Sequence, residues 1–482
     1  MILKIGKRKM DISSVTTDSR SARKGGLFIA VKGYDIDGHK FIPDAIAGGA
    51  KVIVCEDDFD CPEGVEKILV KDSRAAVPVI AADFYGHPSR KLKMIGVTGT
   101  NGKTTITYLI ENIVKASGAE AGVIGTINYR IKGHVIPAKN TTPGPMELQA
   151  MLAEMVKRKV RYAVMEVSSH SLDQGRVDCV EFDAAIFTNI TSEHLDYHKT
   201  IDNYFKAKAS LFGKLKKGGV AVLNNDDARV ARLAGSIKGR VITYGIKRKS
   251  DMSADDIRIS IDGSRFIANT PRGKIKIDTS LIGMHNISNI LASVAAAIGL
   301  GIKLDAIKKG VEALSCVPGR LDYVNPGQGF KIFVDYAHTE DALLNVLNLV
   351  RQVARKNIIT VFGCGGNRDR AKRPRMGEVA CRLSNRVVIT SDNPRFEDPL
   401  RIIGEIESGV KNDFSNYDIE PDRHSAIERA LKLASEGDIV IIAGKGHENY
   451  QIVKGKALPF DDRVVVREIL KKGIGYKVGK GL

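Results

Sequence analysis

The sequence predicts an α/β protein with three domains: a small N-terminal domain, a central doubly wound domain with a phosphate-binding loop, and a C-terminal Rossmann-like domain. Three observations support this fold class. The length of 482 residues suits about three domains. Short apolar runs alternate with helical stretches, which is typical of parallel sheets. Breaks at His87-Pro88-Ser89 and Val317-Pro318-Gly319 place the domains at residues 1–91, 92–319 and 320–482.

Each domain contains apolar runs of strand length. In the first domain they are Leu27–Val31 and Lys51–Cys55. In the second they are Met94–Val97, Tyr162–Val167, Ala184–Thr188 and Gly219–Leu223, with helices predicted at Lys103–Ser117, Tyr204–Phe212 and 287–300. In the third they are Lys331–Val334, Asn357–Phe362, Arg386–Thr390 and Asp438–Ala443, with helices at Asp341–Ala354 and Ser425–Ser435. Continuous apolar runs of this kind indicate strands buried on both faces.

Composition excludes several classes of protein. No run approaches the roughly 18 apolar residues that a membrane-spanning helix needs. The basic N-terminus lacks the apolar block of a secretory signal. Six cysteines without a CxxC spacing are too few for a disulfide scaffold. We therefore expect a cytoplasmic protein with reduced thiols and no membrane partner.

The net charge of +18, from 74 Lys and Arg against 56 Asp and Glu, suits an anionic partner. A nucleic acid, an anionic membrane surface and an acidic small molecule are the three options. Nucleic-acid binding favours clustered basic residues with interleaved aromatics. Here aromatics are 6% of the residues, Trp is absent and the basic residues are dispersed. These features disfavour nucleic-acid binding, and a basic nucleic-acid-binding P-loop ATPase is the less favoured alternative, from another class of protein.

A glycine- and threonine-rich loop follows the strand Met94–Val97 and leads into a helix. Its residues are Thr98, Gly99, Thr100, Asn101, Gly102, Lys103, Thr104 and Thr105. Glycines let successive backbone N–H groups converge on phosphate oxygens, and the helix N-terminus adds partial positive charge. We expect Lys103 to neutralise the β- and γ-phosphates of ATP and Thr104 to offer its hydroxyl to Mg²⁺.

Polar side chains follow other strands at their carboxyl ends, where α/β folds place ligands. In the second domain these include Glu166 and His194, which lie in clusters suited to a Mg²⁺ site. In the third domain, loops after three strands carry Arg, Asn, Arg and Glu. Arginine pairs with carboxylates in bidentate geometry and glutamate can receive an ammonium, so this set suits a zwitterionic amino acid. Asp335 follows a further strand, where a carboxylate can accept hydrogen bonds from ribose hydroxyls.

The string GVTGTNGKTT resembles the signature of the ATP-dependent Mur ligases, which build the peptidoglycan stem peptide in the bacterial cytoplasm. That superfamily also includes folylpolyglutamate synthetases. The strings EVSSHSLDQGRV and TNITSEHLDYH resemble the corresponding Mur ligase motifs, and the segment Asp18-Ser19-Arg20 resembles part of the uridine-nucleotide domain. The resemblance extends over essentially the whole chain.

The resemblance implies roles for individual residues. Glu166 and His194 become metal-site residues, and Lys208 matches a lysine that is carbamylated and helps to hold Mg²⁺. Spacing alone, by contrast, places both lysines of the Tyr204–Phe212 helix on a solvated face. Asn286 is the implied adenine contact and Arg320 the implied contact to ATP phosphates. The implied contacts to the nucleotide-sugar peptide are Ser19, Asn140, Thr141, Thr142, Ser168, Gln174 and Arg176.

The implied amino-acid pocket consists of Arg368, Asp392, Asn393, Pro394, Arg395, Gly444 and Glu448. The DNPR string with Glu397 downstream resembles family members that add meso-diaminopimelate, whose distal carboxylate Arg395 can pair. The implied reaction phosphorylates the D-glutamate carboxylate of UDP-N-acetylmuramoyl-L-alanyl-D-glutamate, and the amine of diaminopimelate then displaces phosphate. A lysine-adding ligase is the close alternative, whereas a folylpolyglutamate synthetase has no role for DNPR. We expect a monomer that binds these three small molecules and no nucleic acid.

Overall fold

The structure is a computed structural model that describes residues 2–5, 8–33, 36–191, 193–324 and 327–473. The chain divides into two compact units. The first comprises Met1–Ile257, Phe266–Ile277 and His285–Ala313, and the second comprises Arg258–Arg265, Asp278–Met284 and Leu314–Leu482. No helix among the described residues is both long enough and apolar enough to cross a membrane. Residues 474–482 of the predicted third domain lie outside the described residues.

The N-terminal part of the first unit contains a four-stranded parallel sheet, β3-β4-β5-β6, and a separate hairpin, β1-β2. The elements are β1 (Ile2–Ile5), β2 (Arg8–Asp11), β3 (Val15–Thr16), β4 (Gly26–Ile29), α1 (Ile42–Ala47), β5 (Ala50–Cys55), β6 (Glu66–Leu69) and α2 (Ser73–Phe84). Leu27 and Val52 pack against Val77 of α2 on one face, while Phe28 and Ile53 pack on the other. Because both faces are covered, β4 is apolar throughout and β5 is apolar except for the exposed Lys51, as the sequence predicted.

The central part of the first unit is an eight-stranded sheet in the order β10-β9-β8-β11-β7-β12-β13-β14. Its strands are β7 (Lys93–Thr98), β8 (Ala121–Ile124), β9 (Asn128–Ile131), β10 (His134–Pro137), β11 (Tyr162–Glu166), β12 (Phe182–Phe187), β13 (Leu215–Asn224) and β14 (Arg240–Tyr244). Six strands, β8, β11, β7, β12, β13 and β14, run parallel to one another. At the β8 side of the sheet, β9 and β10 form an antiparallel edge. Since β7 lies between β11 and β12, the loops after these three strands meet at one edge of the sheet.

Among the described residues, eight α-helices belong to the central region, and a small separate sheet follows β14 in the chain with its residues divided between the two units. The helices are α3 (Lys103–Ala116), α4 (Pro145–Lys157), α5 (Ser169–Asp173), α6 (Leu195–His198), α7 (Ile201–Ala209), α8 (Ala228–Ala231), α9 (Met284–Gly299) and α10 (Leu304–Glu312). The small sheet consists of β15 (Ser253–Ser260), β16 (Gly263–Thr270) and β17 (Gly273–Thr279). Neither this sheet nor the β9-β10 edge was predicted. All four residues of β10 are exposed, so it has no buried apolar pattern for the sequence to reveal.

The second unit is built on a six-stranded sheet in the order β18-β19-β23-β20-β21-β22, parallel except for β18. The six strands are β18 (Asp322–Val324), β19 (Lys331–Asp335), β20 (Ile358–Phe362), β21 (Arg386–Ile389), β22 (Tyr417–Ile419) and β23 (Ile439–Ala443). A separate antiparallel hairpin consists of β24 (Tyr450–Val453) and β25 (Lys456–Pro459). Its helices are α11 (Glu340–Val353), α12 (Lys372–Leu383), α13 (Pro399–Glu407), α14 (Arg423–Leu433) and α15 (Asp462–Lys471). Helices α11, α12 and α13 cover one face, and α14 and α15 cover the other, so the sheet is doubly wound.

Candidate active site

The loop between β7 and α3 has the backbone geometry of a phosphate-binding loop. Gly99 and Gly102 have φ angles of 140° and 92°, which L side chains rarely adopt. A Cβ on Gly99 would lie 1.9 Å from the hydroxyl oxygen of Thr188, and one on Gly102 would lie 2.3 Å from Oδ1 of Asn289. Both glycines are therefore required by conformation and by packing. The hydroxyl of Thr188 braces the loop by donating to the carbonyl of Asn101 at 2.6 Å.

Lys103, at the start of α3, folds back over this loop. Its Nζ donates to the carbonyl oxygens of Gly99 and Thr100, each at 2.8 Å. The ammonium therefore lies over the loop whose backbone N–H groups and helix N-terminus form an anion-binding concavity. Thr104 and Thr105 follow in the first turn of the helix, and both are buried.

Glu166 ends β11 beside the first turn of α3 and is 1% exposed. Its Oε1 accepts hydrogen bonds from the hydroxyl of Thr104 at 3.0 Å and from the backbone N–H of Thr126 at 2.9 Å. Its Oε2 accepts from the hydroxyl of Thr126 at 2.9 Å. A carboxylate and a hydroxyl held together in this way are hard oxygen donors of the kind that Mg²⁺ prefers.

Lys208 is buried, with 1% of the residue exposed, and its Nζ donates to the carbonyl of Gly99 at 2.9 Å. The nitrogen also lies 4.5 Å from the ring centroid of Tyr204. Burial lowers the pKa of Lys208 well below its usual value, and the charge of Lys103 lowers it further. The expectation from spacing that both lysines of this helix are solvated is therefore wrong for Lys208. It holds for Lys206, which is exposed.

Three histidines lie together beside the phosphate loop. The ring of His170 is centred 4.9 Å from that of His194 and 5.4 Å from that of His198. Burial, followed by the charges of the other two histidines, lowers the pKa of His170 to about 4. Burial also lowers the pKa of His194. His194 therefore favours the neutral form that can ligate a metal. The ring of Tyr204 is centred 6.1 Å from that of His194. The Tyr204 hydroxyl lies 3.3 Å from the hydroxyl of Thr100, so Tyr204 lies between His194 and the phosphate loop.

Four of the residues implied for the nucleotide-sugar peptide form one hydrogen-bonded group next to Glu166. The hydroxyl of Thr142 donates to the Glu166 carbonyl at 2.9 Å and accepts from the backbone N–H of Ser168 at 3.1 Å. The Arg176 guanidinium donates to Oε1 of Gln174 at 2.6 and 2.9 Å. It also donates to the Thr142 carbonyl at 3.3 Å.

Other implied residues of this unit are tied to the same surroundings less directly. The hydroxyls of Thr141 and Thr126 lie 3.2 Å apart, and the Asn140 carbonyl accepts from the Tyr129 hydroxyl at 2.6 Å. Asn289, which packs on Gly102, donates to Oδ1 of Asn286 at 3.3 Å. Ser19 begins a 3₁₀ turn in the N-terminal part and is partly exposed.

In the second unit, Asp335 organises the segment that carries Arg320. Its carboxylate accepts hydrogen bonds from the backbone N–H groups of Leu321 at 2.7 Å and Ala337 at 2.8 Å. Burial raises the pKa of Asp335, and the charge of Arg320 opposes that rise. The guanidinium carbon of Arg320 lies 5.1 Å from the ring centroid of Tyr336. The two residues implied for ATP in this unit therefore lie close together, because Asp335 binds the backbone of the residue that follows Arg320.

The loops after β21 and β23 meet around a buried lysine. Asn393 donates to Oε2 of Glu448 at 2.8 Å. Lys445, which is fully buried, donates to Oδ1 of Asn393 and to Oε2 of Glu448, both at 3.2 Å. Gly444 has a φ of 114°, and a Cβ there would lie 2.4 Å from Oδ2 of Asp392. The sequence predicts no role for Lys445. Its position between two glycines was the only local signal.

Arg395 and Arg368 both lie close to Gly365, in the loop after β20. A Cβ on Gly365 would lie 2.8 Å from Nη1 of Arg395 and 3.9 Å from Cγ of Arg368. Arg395 has a φ of 56°, and its Nη1 donates to the Gly366 carbonyl at 2.8 Å. A Cβ on Gly366 would lie 2.0 Å from the carbonyl oxygen of Pro394, so only glycine allows the two loops to approach this closely.

The ion pair between Glu397 and the fully buried Arg373 connects the loop after β20 with the loop after β21. Arg373 donates to the two carboxylate oxygens of Glu397 at 3.0 and 3.1 Å and to the Gly365 carbonyl at 3.1 Å. The backbone N–H of Asn367 also donates to Glu397. The hydrogen bonds from Arg373 and then from Asn367 lower the pKa of Glu397 to about 2.

The change Glu397→Gln is expected to flatten the dependence of stability on acidic pH. Because the folded-state pKa is lowered, the ionised carboxylate stabilises the wild-type protein above about pH 5, and this stabilisation is lost as the pH falls toward 2. The difference in unfolding free energy between wild type and variant should shrink by roughly 3 kcal/mol over that window. Urea unfolding at several pH values measures it. A constant difference would contradict the assigned pairing.

Three family models match the chain. They are the Mur ligase family catalytic domain at residues 11–85, the Mur ligase middle domain at 97–297 and the Mur ligase glutamate ligase domain at 319–446. A relative from Geobacillus kaustophilus is 44% identical over 96% of this chain and 95% of its own length. One from Clostridium tetani is 45% identical over 97% and 96%. Both are named UDP-N-acetylmuramoyl-L-alanyl-D-glutamate–2,6-diaminopimelate ligase.

The chain belongs to the Mur ligase family. A solved structure with the same name as these relatives is 33% identical, with a TM-score of 0.71 over 96% of this chain and 95% of that one. The Mur ligase MurF from Thermotoga maritima in complex with ADP is 20% identical, with a TM-score of 0.66 over 95% and 97%, and shows the fold alone. These matches confirm the predicted family, the three-domain Mur ligase fold and the ligase class.

Proposed function

We propose that this Mur ligase adds meso-diaminopimelate to UDP-N-acetylmuramoyl-L-alanyl-D-glutamate at the expense of ATP, in peptidoglycan precursor synthesis in the cytoplasm. The observation that carries the proposal is that Arg395 lies on the same loop as Asn393, whose side chain donates to Glu448 on the neighbouring loop, so that a cationic and an anionic group lie on adjoining loops of the C-terminal sheet. The full-length relatives named for the same reaction support it. The lysine-adding and nucleic-acid-binding alternatives have no comparable support.

The reaction we propose has two steps. The γ-carboxylate oxygen of D-glutamate attacks the γ-phosphorus of ATP, which forms an acyl phosphate and releases ADP. The amine of diaminopimelate then attacks the acyl carbon, loses a proton and displaces inorganic phosphate, which leaves an amide. Lys103 and the loop N–H groups are assigned to the transferring phosphoryl group, whose developing charge they offset. Arg320 is assigned to the phosphates, Asp335 to the ribose and Asn286 to the adenine.

We assign Mg²⁺ to Thr104, Glu166, His194 and Lys208. The donor set fits a hard cation because Thr104 and Glu166 present oxygens side by side. An ammonium cannot ligate a cation, but a carbamate on Lys208 can, and the lowered pKa favours the neutral amine that adds CO₂. When bound, Mg²⁺ neutralises phosphate charge. Thr142, Ser168, Gln174 and Arg176 are assigned to the peptide carboxylates.

The deciding experiment measures phosphate release from UDP-N-acetylmuramoyl-L-alanyl-D-glutamate and ATP with diaminopimelate, with lysine or with no amino acid. We expect release with diaminopimelate and little with lysine. Release only with lysine would favour the close alternative, and no release in any mixture would overturn the proposal. A gel-filtration mass of one chain would support the expected monomer.

The change Arg395→Ala is expected to weaken the use of diaminopimelate selectively. Its guanidinium is the proposed partner of the distal carboxylate, and a hydrogen bond to a charged group contributes about 1.5–3 kcal/mol. The ratio of kcat/KM for diaminopimelate to that for lysine should therefore fall by about 10- to 100-fold. An unchanged ratio would refute this role for Arg395.

A further inference from the structure

Arg423 and Asp462 form an ion pair inside the second unit, away from solvent. Arg423 is 1% exposed and Asp462 is fully buried. They are the first residues of α14 and α15, the two helices that cover one face of the sheet. Nε of Arg423 donates to Oδ1 of Asp462 and Nη2 donates to Oδ2, both at 2.8 Å. The carboxylate therefore fixes the plane of the guanidinium.

The same guanidinium also reaches the main chain at the ends of two strands. Nη2 of Arg423 donates to the Ala443 carbonyl at 3.0 Å, and Nη1 donates to the Ser391 carbonyl at 3.4 Å. Ser391 directly precedes Asp392, and Ala443 directly precedes Gly444. One side chain thus joins the points at which the Asp392–Arg395 and Gly444–Glu448 loops begin.

The electrostatics of Arg423 also point to this pocket. Burial lowers the pKa of Arg423, but the charges of Asp462, Asp392 and Glu448 outweigh burial and raise it above its usual value. Two of those three carboxylates belong to the proposed amino-acid pocket. A buried ion pair is in general a weak source of stability compared with an apolar pair of similar volume, so fold stability alone gives little reason for a charged pair here.

We infer that Arg423, oriented by Asp462, is a positioning residue that sets the separation of the Asp392–Arg395 and Gly444–Glu448 loops and so determines affinity for the amino-acid substrate. This inference rests on the proposed function of that pocket. Asp462 acts through Arg423, and neither residue is assigned a contact with substrate. No local sequence pattern predicts a role for either residue.

Two variants separate positioning from folding. Arg423→Lys keeps a charge beside Asp462 but loses the planar fork that reaches both carbonyls. The double variant Arg423→Met with Asp462→Leu replaces the ion pair by an apolar pair and leaves no buried charge unpaired. In both, we expect KM for the amino acid to rise at least about tenfold, because small misplacements of binding groups are costly. We expect KM for ATP and for the nucleotide substrate to stay within about twofold.

The matched control is Arg429→Lys, on the same helix α14. The Arg429 side chain is half exposed and pairs with Asp418 at 2.8 Å. This variant should leave all three KM values unchanged. A fall in melting temperature of Arg423→Lys with an unchanged KM for the amino acid would overturn the inference, as would an equal rise in all three KM values. If the double variant fails to fold, Arg423→Lys alone decides. The wild-type assay, run with diaminopimelate and with lysine, tests the proposed function separately, and the variants are measured with the amino acid that the wild type uses.

Discussion

Replacing Lys208 with alanine is expected to lower kcat by about 1,000-fold, and added bicarbonate is expected not to restore it. The amine is buried against the Gly99 carbonyl, and its pKa is well below the usual value. Addition of CO₂ to the neutral amine forms a carbamate and releases a proton, which turns a nitrogen donor into an oxygen ligand for Mg²⁺. Alanine can form no carbamate at any bicarbonate concentration. Initial rates of phosphate release, with and without bicarbonate, measure the effect.

Two variants serve as controls for this expectation. Lys206→Ala removes an exposed lysine from the same helix and should keep near-wild-type turnover. Lys208→Arg keeps a positive charge but cannot be carbamylated at neutral pH, so it should be as inactive as the alanine variant. The wild type depleted of CO₂ should lose activity and regain it when bicarbonate is added. Near-wild-type turnover of Lys208→Ala would contradict the role.

The fold could be predicted because its central strands are buried on both faces. β4, β11, β20 and β23 are buried along their whole length, and such strands appear in the sequence as continuous apolar runs. The structure moves their bounds by only one or two residues. Exposed or alternating strands such as β10 and β17 give no comparable run, and their pairing depends on neighbours that the sequence does not name.

The site could be predicted where its chemistry is local. Gly99, Gly102 and Lys103 lie within one loop, and the DNPR string lies within another. Spacing alone wrongly predicts a solvated Lys208, because its burial depends on the Gly99 carbonyl, 109 residues away in sequence. Arg423 reaches Asp462 across 39 residues. Long-range packing decides whether such a charged side chain is buried, and no local pattern records it.

Replacing Lys103 with alanine is expected to reduce kcat/KM for ATP by about 1,000-fold. A unit charge about 4 Å from a phosphate contributes roughly 4 kcal/mol at the effective dielectric constant near a protein surface, and each 1.4 kcal/mol is a factor of ten. In the structure the Lys103 ammonium lies over the carbonyls of Gly99 and Thr100, at the loop that we assign to the phosphates. Phosphate release at varied ATP concentration measures the decrease in kcat/KM. Calorimetric titration with ADP measures how much of that decrease comes from weaker nucleotide binding.

Lys115→Ala is the matched control, because Lys115 lies near the other end of α3, is exposed and pairs with Glu111. It should change kcat/KM by less than about twofold. Lys103→Ala has a second expected consequence, since the charge of Lys103 lowers the pKa of Lys208. Without that charge, the pH at which Lys208 is half carbamylated should rise, which carbon-13 NMR with labelled bicarbonate measures. An unchanged midpoint, or a wild-type kcat/KM for ATP in Lys103→Ala, would show that the two lysines do not act as the loop geometry indicates.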